Sequence, residues 1–330
     1  MDGILDLAVA NLLSPAILCF ALGLAAALMG SDLSVPEAAA KALSIYLLFA
    51  IGFKGGAAVA AHGADARLLA TVAAGVALSL ALPIVAFRLL GVLTRLSRLD
   101  RAAVAAHYGS ISIVTFAAAT TMVALRGLEA EGYMVAVAAA MEAPAILTAL
   151  WLASRGDALG AGPVGAPEPG LWREVLLNGS VVLLVGAFLI GAVTGEAGMA
   201  RIEGLIVAPF QGLLCLFLLD MGIVAGRGLA RGRAVLRPGA VAFGILMPLV
   251  GAACGLATAL LLGLSPGGAT LLATLAASSS YIAVPAAMRV ALPQADPAVY
   301  LTLSLGVTFP FNLTIGLPLY LAAATWLTGG

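Results

Sequence analysis

The sequence predicts an all-α integral membrane protein of about ten transmembrane helices, arranged as a 5+5 inverted repeat. Three observations predict it. The chain of 330 residues is 62% hydrophobic and only 10% charged, with a mean hydropathy of +1.12. Soluble domains carry about 25% charged residues, so this chain has too little polar surface to face water all round. Apolar runs of roughly 18 to 25 residues recur from end to end, the length that crosses ~30 Å of hydrocarbon. Finally, the second half of the chain echoes the first.

The spans fall near 13–29, 36–53, 68–90, 102–123 and 132–153, then near 173–193, 203–225, 236–262, 268–288 and 298–327. Leu, Ala, Val and Gly fill them, without the long alternation of a membrane β-barrel. Helices are then the remaining way to satisfy the backbone in lipid. The opening Met1–Asp6 lacks the positive region of a secretory signal, so the first apolar segment is expected to be retained. The organisation reads as a first repeat over 1–153, a cytoplasmic connector over 154–170 rich in Gly and Pro, and a second repeat over 171–330.

One constant offset carries Ser112 to Ser279, Val123-Ala124-Leu125 to Val290-Ala291-Leu292, and Tyr133 to Tyr300. Ile51-Gly52 is likewise answered by Met221-Gly222. With five spans per repeat, the second copy enters the membrane from the opposite side, an arrangement found in secondary transporters. Alternating the spans gathers Lys41, Arg88, Arg95, Arg98, Arg101, Arg155, Arg173, Arg227, Arg231, Arg233, Arg237 and Arg289 on one side. Lys54, Arg67, Arg126 and Arg201 fall on the other. The positive-inside rule makes the first side cytoplasmic, and both termini then face the periplasm of an inner membrane.

Charge and motif exclude several classes. Sixteen basic and sixteen acidic residues cancel, so no basic field suggests nucleic acid. Cys19, Cys215 and Cys254 lie in separate apolar runs, without metal-ligand spacing, and read as small core residues. No nucleophile–base set or phosphate loop is present, so the chain is not read as an enzyme, and no cofactor is expected.

Chemistry is expected at two interrupted spans. The fourth contains Gly109, Ser110, Ser112 and Thr115; the ninth contains Ser278, Ser279, Ser280 and Tyr281, followed by Pro285. Proline removes a backbone donor and favours a broken helix there. Half-helix N-termini then aim N–H groups at an anion, and serine hydroxyls add further bonds. Released carbonyls and hydroxyls alternatively hold Na⁺, and close helix packing on small residues is the plain structural reading. Glu142 and Asp220 are intramembrane carboxylates, expected either to ligate a coupling ion or to carry a proton. Thr308 and Asn312, flanking Pro310 in the tenth span, read equally as a packing kink or as part of the ion site. Lys54 is expected to snorkel to the surface, and His107 to be structural.

At these residues the chain resembles the sodium-dependent bicarbonate transporter family, known best from cyanobacteria. The likeness rests on Ile51-Gly52…Gly55-Gly56, Gly109…Ser112…Thr115 with Ala117-Ala118-Ala119, Met141-Glu142-Ala143-Pro144-Ala145, and Ala276-Ala277-Ser278-Ser279-Ser280. The resemblance implies ten spans, a core subdomain moving against a gate subdomain, a homotrimer, and sodium-coupled import of bicarbonate. It also raises a PII-like cytoplasmic regulator as a partner, although the connector here is short. Several places depart from the cyanobacterial pattern, among them Glu142, which stands for the aspartate of Met-Asp-x-Pro and keeps the charge, and Val284-Pro285, near which that pattern has a proline pair. Ser112-Ile113-Val114-Thr115 stands for Ser-Gly-Ser-Thr, and Tyr281 stands where an aspartate follows the serine triplet. The expected function is therefore secondary transport of a small anion, bicarbonate first, coupled to Na⁺. A proton-coupled carrier of another small carboxylate and an anion channel are the alternatives.

Overall fold

The computed structural model describes residues 12–62, 66–142, 144–154, 179–232, 235–281 and 283–329. The connector beyond Ser154 lies outside the described residues, as do 171–178 at the start of the expected sixth span. Among the described residues, eight helices are long and apolar enough to cross a membrane, and Pro15–Leu28 and Pro266–Ala277 are shorter apolar helices. The chain is a multi-pass membrane protein.

In chain order the first half gives α1 (Pro15–Leu28), α2 (Glu37–His62), α3 (Ala66–Leu93), α4 (Arg98–Gly109), α5 (Ile113–Leu125), α6 (Met134–Ala140) and α7 (Pro144–Ser154). The second gives α8 (Gly179–Ile206), α9 (Phe210–Arg231), α10 (Pro238–Leu262), α11 (Pro266–Ala277), α12 (Ala283–Ala291) and a long final helix α13 (Pro297–Thr328). Local chemistry sets many of these ends. Ser14, Ser97, Ser112 and Ser265 each accept an amide of the first turn, filling an otherwise unpaired donor. Pro15, Pro238, Pro266 and Pro297 sit where a helix has no use for an N–H. At the other end of α10, Gly263 adopts φ 64°, a left-handed cap that favours glycine.

Several boundaries differ from the sequence reading. The second span runs nine residues further than expected, to His62. The fifth is interrupted at Met141-Glu142, between α6 and α7. Pro285 lies in the first turn of α12, where a missing N–H is tolerated, so it starts that helix rather than kinking it. In α13, π-helical stretches at Thr302–Thr308 and Asn312–Gly316 flank Phe309-Pro310-Phe311, consistent with a proline that cannot donate to the preceding turn. α8 kinks at Gly195, whose φ of 56° and ψ of −147° are open chiefly to glycine. The three cysteines are free and only half-buried, so they are not core residues.

The most extensive helix packings are α2 on α8 and α1 on α9. Both rest on glycines four residues apart. A Cβ at Gly52 or Gly56 would overlap the backbone of Leu184 or Phe188, and one at Gly222 would overlap Phe20. Gly226 packs on the Ala27 methyl and the Leu24 carbonyl, less tightly than Gly222 on Phe20. Lipid offers apolar side chains no reason to leave it, so helices associate through this kind of close backbone approach. A second layer packs α3 on α4 and α10 on α11. Gly109 lies against Pro83 in the first pair, and Gly251 against the Ala276 carbonyl in the second. Large exposed side chains such as Leu22, Val92, Val193, Leu261 and Trp326 give an apolar exterior suited to lipid.

Candidate functional site

The site grows from two helices that stop inside the protein. α4 and α11 each have 12 residues, span about 18 Å, and cannot cross ~30 Å of hydrocarbon alone. Each begins at a serine cap, Ser97 or Ser265, and each ends on a serine with extended backbone. Ser110 has φ −89° and ψ 174°; Ser278 has φ −79° and ψ 163°. Ala102 to Gly109 and Gly267 to Ala277 are all buried, so the carbonyls freed at these ends must find partners within the protein.

The two extended segments supply them to each other. The Ser280 N–H donates to the His107 carbonyl at 2.8 Å. The Ser112 N–H donates to the Ser278 hydroxyl at 2.9 Å, which in turn donates to the Leu275 carbonyl at 2.9 Å. The final helix braces the same region. Asn312 Nδ2 donates to the Ala277 carbonyl at 3.0 Å, while its Oδ1 accepts from the Tyr320 hydroxyl at 2.8 Å. Thr308 Oγ1 donates to the Gly244 carbonyl at 2.6 Å. Its single proton is thereby spent, so Tyr108 must be the donor in the 2.6 Å Tyr108–Thr308 contact.

Beside this crossing lies a small cavity of ≈10 Å³, lined by Leu48, Ile111, Ser112, Ile113, Glu142, Ser280 and Tyr281. That is about the room one water needs. Such a space admits a bare cation, whereas a four-heavy-atom oxyanion requires the walls to part. Ser112 Oγ accepts from the Thr115 N–H at 3.2 Å and from the Thr115 hydroxyl at 3.0 Å, which leaves its own proton for another partner. The Tyr281 hydroxyl faces Ser112 without closing a hydrogen bond of good geometry, and is buried without a partner. Its ring is held edge-on by Phe309 at 5.1 Å, and Phe309 meets Phe20 of α1 edge-on at 5.3 Å.

Glu142 is 8% exposed and sits in the gap between α6 and α7. The preceding Met141 carbonyl accepts from the Ser79 hydroxyl of α3 at 2.7 Å, which fixes the gap in place. Among the described residues, no cation pairs with this carboxylate. A buried carboxylate without a cation stays neutral or gathers one. With hydroxyls from Ser112, Ser280 and Tyr281 around it, the donors are hard oxygens, the type that suits Na⁺.

Of the residues expected from sequence, the structure brings Ser112, Glu142, Ser280 and Tyr281 together at the cavity. Gly109, Ser110, Thr115, Ser278 and Ser279 build the crossing around it. Ser279 donates at 3.4 Å to the Ser304 carbonyl, and Ser110 Oγ is buried without a partner. Thr308, Asn312 and Asp220 do not line the cavity. The first two have their polar atoms engaged in bracing, and Asp220 lies on α9 within the field of Arg227. Lys54 Nζ lies 4.3 Å from the centre of the Phe210 ring at the start of α9, where the ring face attracts a cation. His107 is fully buried, donates from Nδ1 to the Ala103 carbonyl at 2.7 Å and stacks on Tyr300.

Sequence reasoning missed Leu48 and the Ser79 brace, because no local motif announces a partner on another helix, while the apolar walls Ile111 and Ile113 are the chain neighbours of Ser112. The gap at Glu142 had a readable signal in Pro144 two residues on.

The family model described as the Na⁺-dependent bicarbonate transporter superfamily matches residues 15–325 of the chain. No curated protein matches.

Proposed function

Because the chain belongs to the Na⁺-dependent bicarbonate transporter superfamily, we propose that it moves bicarbonate across the inner membrane together with Na⁺, by alternating access between two inverted halves. The observation that carries the coupling is Glu142 at a cavity rimmed by Ser112, Ser280 and Tyr281. An anion about 4 Å from an ionised carboxylate meets a repulsion of about 4 kcal/mol at an effective dielectric of ~20. A cation on Glu142 removes that repulsion and adds attraction. Anion binding thus becomes conditional on the cation, which is what co-transport needs.

Repeat symmetry supports the alternating-access part. α4 and α11 match in length, serine cap and serine stop. α2 packs on α8 as α9 packs on α1, through Gly52 and Gly56 in one case and Gly222 and Gly226 in the other. These pairs exchange under a swap of the two halves. In this reading α1, α2, α8 and α9 form the gate, and the broken helices belong to the core that moves against it. The ring contact from Tyr281 through Phe309 to Phe20 joins the cavity to the gate.

A second reading is favoured by the same Glu142, since a buried carboxylate without a paired cation also accepts a proton. Uptake of labelled bicarbonate into proteoliposomes separates the two. An inward Na⁺ gradient at constant pH drives accumulation if Na⁺ is the coupling ion. Accumulation driven only by a pH gradient, with Na⁺ absent, replaces it by proton coupling. Equilibration without accumulation under either gradient would instead indicate a channel.

A further inference from the structure

A groove open at the outer surface runs between α3 and α7, away from the transport cavity. Leu80, Ile84, Leu147, Thr148 and Trp151 line it, and it encloses about 360 Å³. Thr148 spends its hydroxyl proton on the Leu80 carbonyl at 3.0 Å, so the groove floor offers little polar chemistry. Leu80 and Trp151 are exposed.

The groove leads to a cationic end. On α3, Leu80, Ile84, Phe87 and Gly91 follow one helical stripe. The guanidinium carbons of Arg98 and Arg101 lie 5.4 and 4.9 Å from the centre of the Phe87 ring. Arg98 is held there by two donations to the Leu152 carbonyl, at 3.0 and 2.7 Å, next to Trp151. Arg101 crosses Gly91, and its buried Nε has no acceptor. The nearby Asp100 carboxylate is occupied by the Ser97 hydroxyl at 2.7 Å and the Asp296 amide at 2.9 Å. Among the described residues, no carboxylate pairs with either guanidinium.

Two like charges gathered on one ring repel unless an anion joins them. A molecule with an apolar chain and a terminal phosphate meets both halves of this surface. The chain fills the groove, the phosphate takes the free guanidinium donors, and Trp151 sits where an interfacial aromatic belongs. We propose that this groove is a binding site for an anionic phospholipid, with an acyl chain along Ile84 and Leu147 and the phosphate between Arg98 and Arg101.

The test compares phosphatidylglycerol, phosphatidylcholine and inorganic phosphate on the delipidated full-length protein in detergent, with bound lipid counted by native mass spectrometry. Phosphatidylglycerol should bind at least about fivefold tighter than phosphatidylcholine, the preference expected from one interfacial arginine. Arg101→Gln should remove that preference, and Ile84→Trp should weaken both lipids by filling the groove while sparing the arginines. Inorganic phosphate should not displace the lipid. Equal binding of the two lipids, or a preference untouched by both variants, overturns the proposal. So does displacement by phosphate, which would mark a simple anion site. A change of oligomeric mass in Ile84→Trp with lipid binding intact would make the groove a contact between copies of the chain, and also overturns it. Should Arg101→Gln fail to fold, Ile84→Trp alone decides the matter.

Discussion

The backbone N–H of Ser112 donates to the Ser278 hydroxyl at 2.9 Å, so the segment that follows α4 and the segment that follows α11 hold one another directly. Ser278→Ala leaves that buried N–H without an acceptor, which costs about 1–3 kcal/mol. Thermal unfolding in detergent should fall accordingly. An unchanged melting temperature would mean the crossing is held by other contacts.

Ser112 and Ser279 are equivalent by sequence offset but not by position. Ser112 lines the cavity with a proton to spare, while Ser279 points to the Ser304 carbonyl at 3.4 Å. Ser112→Ala should therefore weaken apparent bicarbonate affinity by about 0.5–3 kcal/mol, the range from a neutral to a charge-assisted hydrogen bond. Ser279→Ala should change it less. Concentration-dependent uptake measures both, and a larger effect at Ser279 would reverse the assignment.

Tyr281→Phe keeps the ring against Phe309 and removes only the hydroxyl. Folding should be preserved and apparent Na⁺ affinity lowered by about 0.5–1.5 kcal/mol, the net value of one hydrogen bond. Tyr281→Ala should also loosen the Phe309 contact and lower stability. Wild-type Na⁺ dependence in Tyr281→Phe would leave the hydroxyl no part in ion binding.

Gly52 and Gly222, matched in the proposed repeat, test the symmetry of the proposed gate. A methyl at either position overlaps a backbone across the helix pair, so Gly52→Ala and Gly222→Ala should each destabilise by about 1–3 kcal/mol. Chemical or thermal unfolding should show losses of similar size. A loss at one position alone would argue that the α2–α8 and α1–α9 pairs are not equivalent.

Much of this was legible in the sequence because membrane insertion writes itself into composition. Runs of apolar residues locate helices whatever their neighbours are, and serine next to proline marks where α1 and α11 start. Ser112, Glu142, Ser280 and Tyr281 could be singled out because polar groups are costly in lipid and so stand out there. Thr308 and Asn312 stood out for the same reason, yet they brace Gly244 and Ala277. A polar side chain satisfying a freed carbonyl and one waiting for a ligand look alike in sequence. The cavity wall at Leu48 carries no local signal, because only tertiary packing brings α2 to the crossing, whereas Ile111 and Ile113 come with Ser112 as its chain neighbours.

The central claim is that the charge on Glu142 makes anion binding depend on a cation, and reciprocal binding tests it most directly. Bicarbonate affinity of the purified protein is measured across Na⁺ concentrations at constant ionic strength, in the wild type and in Glu142→Gln. Linkage requires Na⁺ to tighten bicarbonate by the same factor by which bicarbonate tightens Na⁺. The account predicts this mutual tightening in the wild type, and its loss in a Glu142→Gln protein that still folds and binds bicarbonate. Bicarbonate affinity independent of Na⁺ in the wild type, or equal Na⁺ dependence in Glu142→Gln, would contradict it.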